Sequence, residues 1–189
     1  FYNLSRRSCH APLRLALRWR RRHGSGHRWR RGHGRWRNLG WWLLRASNTQ
    51  PVLVARDAVR LEQAAAGLGG RVATVVGDAA LKDTADRAVA AALELGGKLN
   101  VLLNIAGWYP TVLVEHTSDA DYAATLSANL TATFAMCRAA LPALRESGGA
   151  VVNMSSTAAR FPTPGLAAYS AAKAGVEAFT RALAAEAAP

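Results

Sequence analysis

The sequence contains no run of about 18 or more apolar residues, so nothing in it reads as a membrane span. Cysteine is scarce. Cys9 and Cys137 alone cannot define a disulfide framework, and they suit a reducing compartment such as the cytoplasm. Residues 1–50 lack any acid and any lysine, and they also lack the apolar central region of a secretory leader. Histidine forms no group with metal-ligand spacing: His10, His23, His27 and His33 lie in the arginine-rich start and His116 stands alone, so no metal site is expected.

What is present divides near residue 50. The chain has 189 residues, half of them apolar, which is enough for one domain with a sizeable core. Its net charge of +12 is confined to one end, because residues 1–50 carry 13 arginines against no acid, while the remainder holds 11 basic and 12 acidic residues. Five of the six tryptophans also fall in residues 1–49, a segment rich in Arg, Trp and Gly with no helical or strand period. Residues 1–49 are therefore expected to be an unmatched, disordered segment, and residues 50–189 to carry the fold. Arginine interleaved with aromatics can bind nucleic acid through phosphate contacts and stacking. A transit peptide is the other reading, against which the serines are few.

The regular part is organised around residues 151–173, VVNMSSTAARFPTPGLAAYSAAK. An apolar, β-branched run from Ala150 to Met154 reads as a buried strand, and it stops at Ser155 and Ser156. A loop containing Pro and Gly leads into an alanine-rich helix, on which Tyr169 and Lys173, four residues apart, leave the same face. A phenol ordinarily titrates near pH ~10, and an ammonium within about 4 to 6 Å favours its ionised form. A tyrosine tuned in that way can exchange a proton with an alcohol or ketone at neutral pH. Taken alone, the pair is equally an ordinary helix surface, and the serines an ordinary strand end.

The longer pattern narrows the choice. A strand ending in Asn-x-Ser-Ser, then thirteen positions from Ser156 to Tyr169, then Tyr-Ser-Ala-Ala-Lys-Ala-Gly, closely resembles the active-site segment of the short-chain dehydrogenase/reductase family. The resemblance implies a catalytic tetrad: Tyr169 as general acid/base, Lys173 lowering its pKa and bonding the nicotinamide ribose, Ser156 orienting the substrate oxygen, and Asn129 holding a water that links the lysine to solvent. Asn129 is also odd on its own terms, since asparagine is a mediocre helix former in the middle of a long helical run, 118–146.

Further stretches extend the resemblance. Residues 51–55, PVLVA, form an apolar run followed by Arg56-Asp57 and a helical stretch, 58–68. An arginine at this place accommodates the 2′-phosphate of NADP, so NADP is preferred to NAD. Residues 71–76 read as a strand ending in Gly77-Asp78, and Asp78 contacts the adenine by resemblance, with helix capping as the alternative. Residues 98–105 are another apolar strand, followed by Ala106-Gly107. The family's Asn-Asn-Ala-Gly motif is matched except that Ile105 replaces the second asparagine. It implies that Asn104 stabilises the sheet, and that Ala106 and Gly107 admit the cofactor close to the backbone.

Strands alternating with helices give the fold class: α/β, a Rossmann-type doubly wound parallel sheet with helices on both faces. It is expected to be incomplete at both ends. The family's glycine-rich phosphate turn is not readable in residues 1–50, and the elements that follow the last helix are not in the sequence. Tryptophan has the single codon TGG, and arginine codons begin with C or A, so a shifted frame reads glycine across every Trp-Arg junction. Shifted so, Arg18 to Ser25 can give three glycines, an alanine and Gly-Met-Gly, which marks a frameshift over that turn as the expectation. The implied activity is hydride transfer between NADP(H) or NAD(H) and an alcohol or ketone, in a homodimer or homotetramer. The alternatives are an inactive truncated remnant and a nucleic-acid binder acting through the arginine-rich arm.

Overall fold

The computed structural model describes residues 49–188 except Gly69, and the expectations for the arginine-rich arm, including the shifted phosphate turn, lie outside these residues. Four short parallel strands alternate with helices: β1 (Val52–Ala55), α1 (Ala58–Leu68), β2 (Ala73–Val76), α2 (Lys82–Gly96), β3 (Val101–Asn104), α3 (Asp119–Leu126), α4 (Ala132–Ser147), β4 (Ala150–Asn153) and α5 (Ala167–Ala187). Single 3-10 turns stand at Val114–His116 and Thr157–Ala159, and a π turn, Ser127–Thr131, joins α3 to α4.

The ends of the helices follow from local chemistry. Asp57 starts α1 by accepting the Arg60 backbone N–H at 3.0 Å. Ser118 does the same for α3, its hydroxyl accepting from Asp121 N at 3.1 Å. Gly97 and Gly148 end α2 and α4 in the left-handed region, at φ 72° and 65°.

A doubly wound parallel sheet incomplete at both ends was expected, and the described strands form two parallel pairs. In β1–β2, Val52 to Ala55 lie opposite Ala73 to Val76; in β3–β4, Val101 to Asn104 lie opposite Ala150 to Asn153. The usual doubly wound order, 3-2-1-4-5-6, explains the split. In that scheme β1 and β2 are strands two and three, β3 and β4 are strands four and five, and the first strand separates the pairs. No residue of a first strand is among those described.

One core serves both pairs. Val75 from β2 and Leu102 from β3 pack with Ala85 and Ala88 of α2 and with Ala135, Met136, Ala140 and Leu144 of α4. The many alanines let the helices approach closely. Helix α1 packs on β1 and β2 without joining that core, with Leu61 buried, so helices cover both faces of the first pair. The second face of β3–β4, Val101, Leu103 and Val152, is 36 to 50% exposed. No helix among the described residues is long and apolar enough to cross a membrane.

Gly77, just after β2, lies hard against α2. A Cβ there would lie 2.8 Å from the Cγ2 of Thr84 on α2, a side chain only 2% exposed. Gly77→Ala should destabilise the chain by about 1 to 3 kcal/mol through overpacking, read as a lower midpoint in urea unfolding with an unchanged slope.

Candidate active site

The site stands on a polar chain at the carboxyl end of β3–β4. Asn104 and Asn153 are register partners on the last rungs of the two strands, and Asn104 Nδ2 donates to Asn153 Oδ1 at 2.9 Å. Asn153 Nδ2 donates in turn to Thr180 Oγ1 of α5 at 2.9 Å, and Thr180 Oγ1 donates to the Val176 carbonyl at 2.6 Å. Asn104 Nδ2 also reaches Cys137 Sγ of α4 at 3.3 Å. Burial pushes the Cys137 thiol up to about 11, against the lowering effect of the Asn153 and Asn104 contacts, so it stays a protonated core group.

Immediately beyond it lie Ala106 and Gly107. A Cβ on Gly107 would collide with Asn129 Oδ1 and lie 3.6 Å from Lys173 Nζ, so glycine lets three elements meet. Asn129 sits in the π turn, where the Ala132 N–H bonds to the Ser127 carbonyl five residues back. Such turns widen a helix locally and recur at functional sites. This gives a physical reason for a mid-helix asparagine. Its Nδ2 donates to the Thr125 carbonyl at 2.8 Å and to the Trp108 carbonyl at 2.6 Å, while its backbone carbonyl accepts from Thr133 Oγ1 at 2.7 Å. Asn129 Oδ1 is fully buried and has no partner among the described residues, an arrangement that costs about 1 to 3 kcal/mol where nothing fills it.

Lys173 is 3% exposed, and its ammonium donates to the Met154 carbonyl at 2.9 Å. Burial lowers its pKa below the ordinary 10.5. One turn earlier on α5, the half-buried Tyr169 ring has its centroid 5.8 Å from that ammonium. Tyr109 also lies against the Tyr169 ring, with ring centroids 4.1 Å apart.

Ser156 follows β4 and starts the 3-10 turn, its Oγ accepting the Ala158 N–H at 3.2 Å, which leaves its own proton free to be donated. Its neighbour Ser155 is held differently. Ser155 Oγ donates to Glu177 Oε1 at 2.9 Å, and Arg160 donates to Glu177 Oε2 from Nε at 3.2 Å and from Nη2 at 3.0 Å. The Arg160 and Ser155 hydrogen bonds hold the Glu177 carboxyl below the usual carboxylate range. This clamp ties the loop after β4 to α5, and the sequence pattern alone gave no sign of it.

Arg56 and Asp78 follow the carboxyl ends of the other pair, β1 and β2. Arg56 is exposed. Asp78 does not cap α2: its Oδ1 accepts the Ala80 N–H at 2.9 Å in the turn before the helix, whose first flanking residue is Leu81.

A family profile described as short chain dehydrogenase matches residues 43–189. The chain belongs to the short-chain dehydrogenase family. Among its relatives, D-threitol dehydrogenase of Mycolicibacterium smegmatis is 40% identical over 137 residues, covering 69% of this chain and 52% of its own. A 3-oxoacyl-[acyl-carrier-protein] reductase of Synechocystis is 35% identical over 134 residues, covering 70% and 53%. A solved short-chain dehydrogenase/reductase of Brucella melitensis, titled glucose/ribitol dehydrogenase, is 37% identical with a TM-score of 0.76, covering 81% of this chain and 62% of that one. The chain thus spans about half the length of the curated relatives it matches.

The buried lysine gives the site a pH signature. Because Lys173 is depressed in the folded state, the unfolded chain keeps that proton to higher pH, so stability rises with pH between the folded value and the ordinary 10.5. Below the folded value both states are charged and the full desolvation cost applies. Lys173→Met removes the charge, and the stability of the variant minus that of the parent should fall as pH goes from about 7 to about 10, measured by urea unfolding at each pH.

Proposed function

We propose that this short-chain dehydrogenase interconverts an alcohol and a ketone, with Tyr169 as general acid/base and NADP(H) preferred to NAD(H). The observation that carries the reading is the Tyr169 side chain: its hydroxyl makes no hydrogen bond among the described residues, and a buried ammonium lies beside it on the same helix face. A phenol so placed is free to meet a substrate oxygen. A lysine that has lost its water has little but its immediate neighbours to interact with.

The residues present fit a nicotinamide cofactor at two points. Gly107 is exposed and has no side chain of its own between its backbone and a ligand, and Arg56 stands exposed at the end of β1, where the order of the strands puts an adenosine ribose. Arg56 would meet a 2′-phosphate, Asp78 the adenine, Ala106 and Gly107 the ring system, and Lys173 the nicotinamide ribose. When bound, the cofactor supplies or accepts the hydride.

The chain's own groups handle the proton. In the reducing direction Ser156 donates a hydrogen bond to the ketone oxygen and Tyr169 delivers its phenolic proton to the same atom. Lys173 favours the phenolate left behind. Asn129, with an unpaired buried oxygen, holds a water by which the proton is replaced from solvent. The named relatives act on D-threitol in one case and on a 3-oxoacyl group carried by a protein in another, which supports the alcohol/ketone class and no single substrate.

Titration of NADPH and NADH into the purified chain, followed by nicotinamide fluorescence, tests the reading. Saturable binding is expected, tighter for NADPH, and Arg56→Ala should weaken NADPH about tenfold while leaving NADH unchanged. Tyr169→Phe should leave both affinities intact and cut turnover of a ketone by about 10² to 10⁴. Equal affinity for the two cofactors would remove the NADP preference, and full turnover by Tyr169→Phe would remove the role given to Tyr169.

A further inference from the structure

A general acid/base acts only if its reacting atom is held within a fraction of an ångström, yet nothing among the described residues bonds the Tyr169 hydroxyl. Its ring is held through its face. Tyr109 lies against it with centroids 4.1 Å apart and planes tilted by 32°. Tyr109 belongs to residues 105–113, a segment with almost no regular structure that would not by itself fix a ring.

The segment is pinned on both sides of Tyr109. On one side the Trp108 carbonyl accepts from Asn129 Nδ2 at 2.6 Å. On the other, the Val112 N–H donates to the Gly165 carbonyl at 2.9 Å; Gly165 has φ 77°, and a Cβ there would lie 3.0 Å from Thr111 Cγ2. The buried amide of the π turn thus reaches Tyr169 by a second route, through the backbone of Trp108 and the ring of Tyr109.

We propose that Tyr109 is a positioning residue for Tyr169: its ring covers one face of the Tyr169 phenol, fixes that ring's orientation, and leaves the hydroxyl approachable from the uncovered side. The proposal rests on Tyr169 being the acid/base. The ring of Tyr109 does this work and its hydroxyl does not, so phenylalanine should replace it and leucine should not.

Two readouts on the full chain test this. The first is nitration by tetranitromethane, mapped by mass spectrometry, with exposed Tyr122 as the internal reference. Tyr109→Leu should raise modification of Tyr169 relative to Tyr122 severalfold, and Tyr109→Phe should leave it at a shielded level. The second is turnover: Tyr109→Leu should lower kcat about tenfold or more with the KM for NADPH unchanged, and Tyr109→Phe should restore it. An unchanged Tyr169 to Tyr122 ratio in a folded Tyr109→Leu chain overturns the proposal, whatever the activity. A parent chain in which Tyr169→Phe changes no turnover defeats the reading of the site, while nitration still decides whether the ring is shielded.

Discussion

A single ammonium taken out of water organises this molecule. Lys173 can be buried because the Met154 carbonyl accepts a hydrogen bond from its ammonium and because Gly107 leaves room beside it. Both conditions depend on register. Met154 follows the last residue of β4, Gly107 follows β3 by three positions, and the two strands end level at Asn104 and Asn153. A slip of one residue in that pairing would turn the asparagines to the other face and take the carbonyl away from the lysine. The bonds from Asn104 to Asn153 to Thr180 oppose such a slip, and they fix α5 on the same scaffold that positions the carbonyl.

The same economy runs through the π turn. Widening the helix at residues 127–131 brings Asn129 inward, where one amide closes the turn at Thr125 and steadies the loop at Trp108. Stability is given up for this, since Thr125 Oγ1 and Asn129 Oδ1 are buried without partners among the described residues. Such unpaired buried atoms are few in folded proteins, and Asn129 Oδ1 is one that stands with the desolvated Lys173 ammonium around Gly107.

Much of this was legible in the sequence because it is local. The period of residues 58–68 gives α1 with the bounds it has in the structure, the stop at Gly77 ends β2, and the four-residue spacing puts Tyr169 and Lys173 on one face. The long run at 118–146 reads as one helix, and the structure divides it at a turn whose only signal was the misplaced asparagine. What was not legible depends on distance along the chain. The Tyr109 to Tyr169 stack joins residues sixty positions apart, and the Ser155, Arg160 and Glu177 clamp joins a loop to the middle of a helix. No period or spacing encodes such meetings. The division into two strand pairs was hidden for a related reason: hydrophobic pattern marks a strand but does not name its neighbour.

Hydride transfer to a carbonyl carbon is the reaction proposed for the site that Tyr169, Lys173 and Ser156 belong to. Its most direct test is to incubate the folded chain with NADPH deuterated at the transferring position of the nicotinamide and a panel of small ketones, and to analyse the products by mass spectrometry. The expected product is an alcohol carrying the deuterium on its carbinol carbon, formed by the parent and at least about 10²-fold more slowly by Tyr169→Phe. A folded chain that binds NADPH and yields no deuterated alcohol, or one that yields it equally well without the Tyr169 hydroxyl, would contradict it.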